Sequence, residues 1–322
     1  MQLKAVLAVA GFLAMTGVAA GAYAQSYPTK AVRLVNPFSP GGSLDLVSRA
    51  LSKTLTTDLG QPVYVDNRPG AGGNLGVEIV AKAAPDGYTL LAVQNSITIN
   101  PSLMKHVPYD PLKDFEPISK ISTYMYFLVV HPSTQARSVQ QLIALARAKP
   151  DQLTYASVGV GSGTHLAGEL FKSMAKVKMT HVPYKGSGPS IIDLVGGQVA
   201  LSFGSTSVLP HVLTKKLILL GVSGAQRSSF VPDAPTIAES GVPGYEVIGW
   251  NALFAPAGTP APIINKLNQL VRQGLMNTDT KAVMEAQGLD ATPSTSQELR
   301  DGMRNELLKW AKVIKTAGIR PE

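Results

Sequence analysis

Short runs rich in β-branched residues alternate with amphipathic helical patterns along most of this 322-residue chain, which restricts it to α/β units built around mainly parallel sheets. The first unit shows the logic. Val32 to Val35 reads as a strand and Asn36 to Gly42 as a Pro/Gly-rich loop. Leu44, Val47, Leu51 and Leu55 then recur at spacings of three and four, predicting one apolar helix face before Gly60 stops the helix. Val63 to Val65 and Tyr88 to Val93 are two further strands. The second ends in Gln94, Asn95 and Ser96, polar residues at the carboxyl end where open α/β sheets place their ligands.

Two long apolar runs, Tyr124 to Val130 and Val247 to Phe254, read as crossings between lobes. They assign residues 25–124 and 249–322 to a discontinuous first lobe and 125–248 to a second. In the second lobe the pattern predicts a helix from Val139 to Ala148 capped by Ser138, and strands at Leu153 to Ala156, Val199 to Phe203 and Leu217 to Val222. A further helix opens at Gly188-Pro189-Ser190, with proline at the first helical position. Thr295-x-x-Glu298 is a capping box. It starts a last helix whose apolar face carries Leu299, Met303, Leu307, Trp310 and Ile314, expected to latch the first lobe.

The N-terminus carries a different kind of signal. Lys4 precedes an apolar stretch from Ala5 to Met15, and Ala22-Tyr23-Ala24 has the small-x-small pattern of a cleavage site, so residues 1–24 read as a signal peptide removed after Ala24. The apolar run is well short of the roughly 20 residues that cross a bilayer. The chain has no cysteine, hence no disulfide, no thiolate nucleophile and no lipid attachment site. His106, His131, His165, His181 and His211 include no pair at the spacing that places two ligands on one helix face, so no metal and no cofactor is expected. A formal net charge of +8 suits anionic partners. Lysine and arginine are scattered, however, with Lys172, Lys176 and Lys178 the one close cluster, so nucleic acid is not expected. Gly70 and Gly72 invite a dinucleotide fingerprint, which fails because Leu75 stands where the third glycine is required.

Three Gly/Ser-rich loops lead from strands into helix starts: Phe38-Ser39-Pro40-Gly41-Gly42-Ser43, Gly161-Ser162-Gly163-Thr164 and Gly186-Ser187-Gly188-Pro189. A helix start presents unpaired N–H groups and the positive end of the helix dipole, and it holds carboxylates or phosphates without a charged side chain. The same residue types also cap helices with no ligand present. Asp45, in the first turn after the first loop, is either a ligand contact or a partner of the helix dipole. Hydrolase motifs are absent: Ser162 has Val160 and Ser187 has Lys185 where a nucleophile elbow needs glycine, and no carboxylate adjoins His165 to orient it as a base.

Several stretches also resemble one family. Asn67-Arg68-Pro69-Gly70-Ala71-Gly72-Gly73-Asn74, Pro85-Asp86-Gly87-Tyr88, His181-Val182-Pro183-Tyr184-Lys185-Gly186 and Leu253-Phe254-Ala255-Pro256-Ala257-Gly258-Thr259-Pro260 are similar to motifs of the Bug family, the receptors of tripartite tricarboxylate transporters. The resemblance runs through nearly all of the chain. It implies a type II periplasmic binding protein fold, two α/β lobes joined by two hinge strands, in a monomer that captures a small organic carboxylate in the periplasm and passes it to membrane permease subunits. It further implies ligand contacts at Phe38, Ser39, Gly41, Gly42, Ser43 and Asp45 in one lobe and at Gly161, Ser162, Thr164 and His165 in the other, with Asn95, Ser96 and Tyr184 beside them. One departure stands out: many members carry an aspartate where this chain has Gly204, followed by Ser205 and Thr206. Gly204 is therefore expected to leave room in a neutral pocket, favouring an aromatic acid such as terephthalate or an aliphatic dicarboxylate. The alternatives are a periplasmic hydrolase of esters or amides and a receptor that feeds a sensor kinase.

Overall fold

The computed structural model describes residues 27–316 and Ile319; the expected signal peptide lies outside the described residues. Strand β1 (Val32–Asn36) leads into helix α1 (Ser43–Leu59), whose buried Leu44, Val47, Leu51 and Leu55 form the face read from the spacing. Gly60 ends the helix in a left-handed conformation, φ 66°, with its N–H on the Thr56 carbonyl. β2 (Val63–Asn67), α2 (Asn74–Ala81), β3 (Thr89–Gln94) and α3 (Ser96–Leu103) complete two more units. Helix α3 begins at the three polar residues that read as a strand end, and Pro101 inside it hid it from the pattern.

The apolar run from Tyr124 to Val130 is two strands: β4 (Phe115–Met125) belongs to the first sheet and β5 (Phe127–Val130) to the second, with Tyr126 between them. The second lobe continues with α4 (Val139–Ala148), β6 (Thr154–Ser157), α5 (Gly163–Ala175), β7 (Thr180–Pro183), α6 (Ser187–Val195), β8 (Leu201–Gly204), α7 (Leu209–Leu213) and β9 (Ile218–Val222). Ser138 caps α4 as expected, accepting the Gln141 N–H at 3.2 Å. Helix α6 starts two residues earlier than expected, at Ser187. Pro189 is thus its third residue, still within the turn whose N–H groups lack helical partners.

The chain returns through β10 (Ile248–Pro256) and ends in α8 (Ala261–Leu275), α9 (Thr278–Ala286), β11 (Asp290–Ala291) and α10 (Ser296–Thr316). The first sheet runs β11-β4-β10-β3-β1-β2 and the second β7-β6-β8-β5-β9. β1 is parallel to β2 and β3, and β6 to β7 and β8. β10 is antiparallel to β3 and β4, and β5 to β8 and β9. The carboxyl ends of the parallel strands in both sheets open onto the gap between lobes. Among the described residues no helix is long and apolar enough to cross a membrane.

Two polar clusters tie the crossings together. Ser223 accepts the Tyr126 N–H at 2.8 Å and donates its hydroxyl to the Val247 carbonyl at 2.6 Å, so one side chain joins both interlobe segments. The capping box of α10 forms as predicted, with Thr295 N–H on Glu298 Oε2 (2.8 Å) and Glu298 N–H on Thr295 Oγ1 (3.1 Å). Two turns on, Glu306 Oε2 accepts from Trp250 Nε1 at 3.0 Å, Trp310 Nε1 at 3.1 Å and Thr98 Oγ1 at 3.1 Å. One carboxylate thus pins the last helix to β10 and α3. Glu306→Ala strands two buried indole donors, so it is expected to lower unfolding free energy by about 3 kcal/mol. Urea denaturation checks this, and a loss below about 1 kcal/mol contradicts the latch.

Candidate functional site

The loop from β1 to α1 is held open by side chains from within its own lobe. Asn36 Oδ1 accepts the Phe38 N–H at 3.1 Å, and Asn67 Nδ2 donates to the Phe38 carbonyl and to Asp45 Oδ1, each at 3.0 Å. Asp45 Oδ2 accepts from the Gly41 N–H and from Arg49 Nε, also at 3.0 Å. Burial alone would raise the Asp45 carboxyl, but the hydrogen bonds from Arg49, Gly41 and Asn67, with the Arg49 charge, hold it below the usual carboxylate range. Asp45 therefore lines the site with its charge already engaged. The result is a helix start whose N-cap is Gly42, with no side-chain oxygen on its first N–H groups.

The second lobe offers a matching element. Helix α6 also begins after a glycine, Gly186, and also has no side-chain cap. The two helix starts face each other across a narrow cavity lined by Phe38, Ser39, Gly42, Ser43, Leu44, Asp45, Gln94, Val158, Gly186 and Ser187. A Cβ on Gly42 would stand 3.6 Å from Ser187 Oγ, and the Ser39 hydroxyl donates to the Lys185 carbonyl of the opposite lobe. The cavity wall holds no lysine or arginine.

The third loop is built differently. Ser162 Oγ caps α5 by accepting the His165 N–H at 3.3 Å while donating to the Gly159 carbonyl at 2.6 Å. Thr164 Oγ1 lies 2.9 Å from Ser162 Oγ and accepts the Val158 N–H at 3.0 Å; His165 Nδ1 accepts the Gly161 N–H at 3.2 Å. Ser162, Thr164 and His165 are buried and shape the loop that carries Val158 to the cavity. Gly161 turns toward Asn100 and Met104 of the first lobe. The Ser162–His165 contact runs through the backbone N–H, with no imidazole poised on the hydroxyl as a base.

Of the other residues expected at the site, Asn95 braces the hinge, donating to the Ile248 carbonyl at 3.3 Å and accepting from the Tyr126 hydroxyl at 3.4 Å. Ser96 is buried in the first turn of α3. Tyr184 donates to Asp193 Oδ2 at 2.7 Å, and burial followed by that carboxylate pushes its phenol up to about 12. The expectation that Gly204 leaves room for a ligand is corrected by the packing: a Cβ there would collide with the Val208 side chain, which fills the space. Ser205 pairs with Ser207 at 2.8 Å, and Thr206 packs against Gly288 of the first lobe. Leu44 and Val158 line the cavity without any sequence signal of a contact, whereas Gln94, Gly186 and Ser187, which also line it, stand in segments read as ligand-facing but were not among the residues assigned contacts. Among the described residues no cluster of histidine and carboxylate side chains could hold a metal.

Residues 47–319 match the family described as the tripartite tricarboxylate transporter family receptor. The protein BugT of Bordetella pertussis is 38% identical over 322 residues, covering 99% of both chains. The chain belongs to this Bug-type receptor family. It is accordingly a periplasmic solute-binding receptor rather than an enzyme, in a family that binds small carboxylates and works with membrane transporter components. Among solved structures, the periplasmic binding protein BugD superposes on the receptor with a TM-score of 0.88 at 31% identity, over 92% of this chain and 100% of that one. A second, an R. palustris protein with adipate, gives 0.88 at 37% identity over the same shares. MatC from Rhodopseudomonas palustris with bound malate gives 0.86 at 31%, over 89% and 100%.

Behind the α5 loop of the receptor, His165 stacks on His181 at 4.0 Å and 7°, and His181 stacks on Tyr155 at 4.9 Å. Burial, then the Lys172 charge, pushes His165 down to about 4; burial, then the neighbouring His165, pushes His181 down to about 3. Both are neutral in the fold at neutral pH. Above the unfolded value near 6.5 neither state is protonated; below it the unfolded chain takes up protons that the fold refuses, so stability falls until the folded values are reached. Urea denaturation should show up to about 1.4 kcal/mol lost per histidine and per unit between pH 6.5 and 5, with His181→Gln flattening the slope. A level curve from pH 7 to 5 contradicts this placement.

Proposed function

We propose that the receptor captures a small aliphatic dicarboxylate between the α1 and α6 helix starts, one carboxylate to each, and delivers it from the periplasm to permease subunits of a tripartite tricarboxylate transporter. The observation that carries this is the meeting of two glycine-capped helix N-termini from opposite lobes at one cavity. Each supplies backbone donors and about half a positive charge, a set suited to an anion with a negative group at either end. An aliphatic chain is favoured over an aromatic ring such as terephthalate because structures at 37% and 31% identity hold adipate and malate, both aliphatic diacids. Asp45 supplies the carboxylate of the cavity wall and is already paired, so the wall has no free anion to welcome an ammonium group. In this reading residues 25–124 and 249–322 form one lobe and 125–248 the other. The receptor acts as a monomer whose lobes rotate about the segments joined by Ser223.

Calorimetry with malate, succinate, adipate, terephthalate, glutamate and a dimethyl ester tests the proposal. At least one aliphatic diacid should bind, and its dimethyl ester should lose at least a hundredfold in affinity, since charge-assisted hydrogen bonds are worth about 1.5 to 3 kcal/mol each. Equal binding of diacid and diester, or preference for glutamate, would refute it.

A further inference from the structure

Away from the two helix starts, the lobes touch through backbone. Gly72, in the short turn between β2 and α2, has φ 64°, and a Cβ built on it would overlap the Val160 carbonyl oxygen of the opposite lobe and stand 2.8 Å from the Val160 carbon. From the other side, a Cβ on Gly159 would lie 3.3 Å from the Gly72 Cα. Next to them a Cβ on Gly161 would collide with the Asn100 amide oxygen and come 2.8 Å from Met104 Sδ. Three glycines from two lobes thus meet at one spot. The β6–α5 loop is rigid there, being locked by Ser162, Thr164 and His165, so the carbonyl it presents cannot retreat far.

The left-handed turn at Gly72 favours glycine, but it does not by itself explain the cross-lobe contact. Gly60 has nearly the same φ, 66°, with nothing within 4 Å of its Cβ position. From this pairing we infer that Gly72 is a closure-positioning residue: the bare backbone at 72 lets the β2–α2 turn seat on the Val160 carbonyl, and a single methyl group there holds the lobes apart. A receptor so altered keeps two folded lobes and the α1 half of the site, yet does not bring α6 up to the ligand.

The matched pair Gly72→Ala and Gly60→Ala separates closure from backbone strain, which both share. Both should lose the same few degrees of melting temperature without ligand. With the diacid that binds wild type best, Gly72→Ala should lose at least tenfold in affinity and show no fall in radius of gyration by scattering, while Gly60→Ala behaves as wild type. A second arm needs no ligand. The chain is free of cysteine, so a Gly42→Cys, Ser187→Cys background given oxidised glutathione as the oxidant can form only the one intramolecular disulfide, and only when the lobes close. Adding Gly72→Ala should slow its formation at least tenfold, and adding Gly60→Ala should not. If no diacid binds wild type, the ligand assignment above falls while this arm still reads closure. Disulfide formation at an unchanged rate in the Gly72→Ala variant overturns the inference.

Discussion

Two helix N-termini that border one cavity from opposite lobes carry partial charges of the same sign, about half a positive charge apiece. Bringing α1 and α6 together therefore costs electrostatic energy unless something negative lies between them, and the cavity wall provides no free carboxylate to do it. An anion with a negative group at each end removes the repulsion and satisfies the uncapped N–H groups of both helices. A ligand shifts a conformational equilibrium only through its differential affinity for the two states, and in the proposed binding mode that difference arises because half of the donors arrive only with the second lobe. On that proposal recognition and closure are one event.

The remaining architecture serves this meeting. Parallel strands in both sheets deliver their carboxyl ends to the gap. Ser223 joins the two interlobe segments so that they move together, and Glu306 fixes the last helix to β10 and α3. Asn36, Asn67 and Asp45 hold the first-lobe loop in shape before any ligand arrives, and Ser162, Thr164 and His165 do the same in the second. Prepaid order of this kind lowers the cost of binding, because little remains to be frozen when the ligand enters.

Local signals were legible in the sequence where one face or one cap decides the structure. The spacing of Leu44, Val47, Leu51 and Leu55 predicts α1, and Thr295 and Glu298 predict the start of α10. The cavity lining was legible only in half. Phe38, Ser39, Gly42, Ser43 and Asp45 line the cavity, but Ser162 and Ser187 looked alike in sequence, and only the fold shows that the first caps its own helix while the second borders the cavity. Capping and anion binding use the same residue types, so composition cannot separate them. Gly204 failed for a related reason: whether a missing side chain leaves a pocket or admits a neighbour depends on where Val208 packs, four residues on and around a turn.

The most direct test is a crystal structure of the receptor with the diacid that binds it best. The account predicts one carboxylate within hydrogen-bond distance of the Ser43 and Leu44 N–H groups, directly or through one water, and the other likewise at the start of α6 beside Ser187. A ligand bound with both carboxylates on one lobe, or held by lysine or arginine side chains, would contradict it.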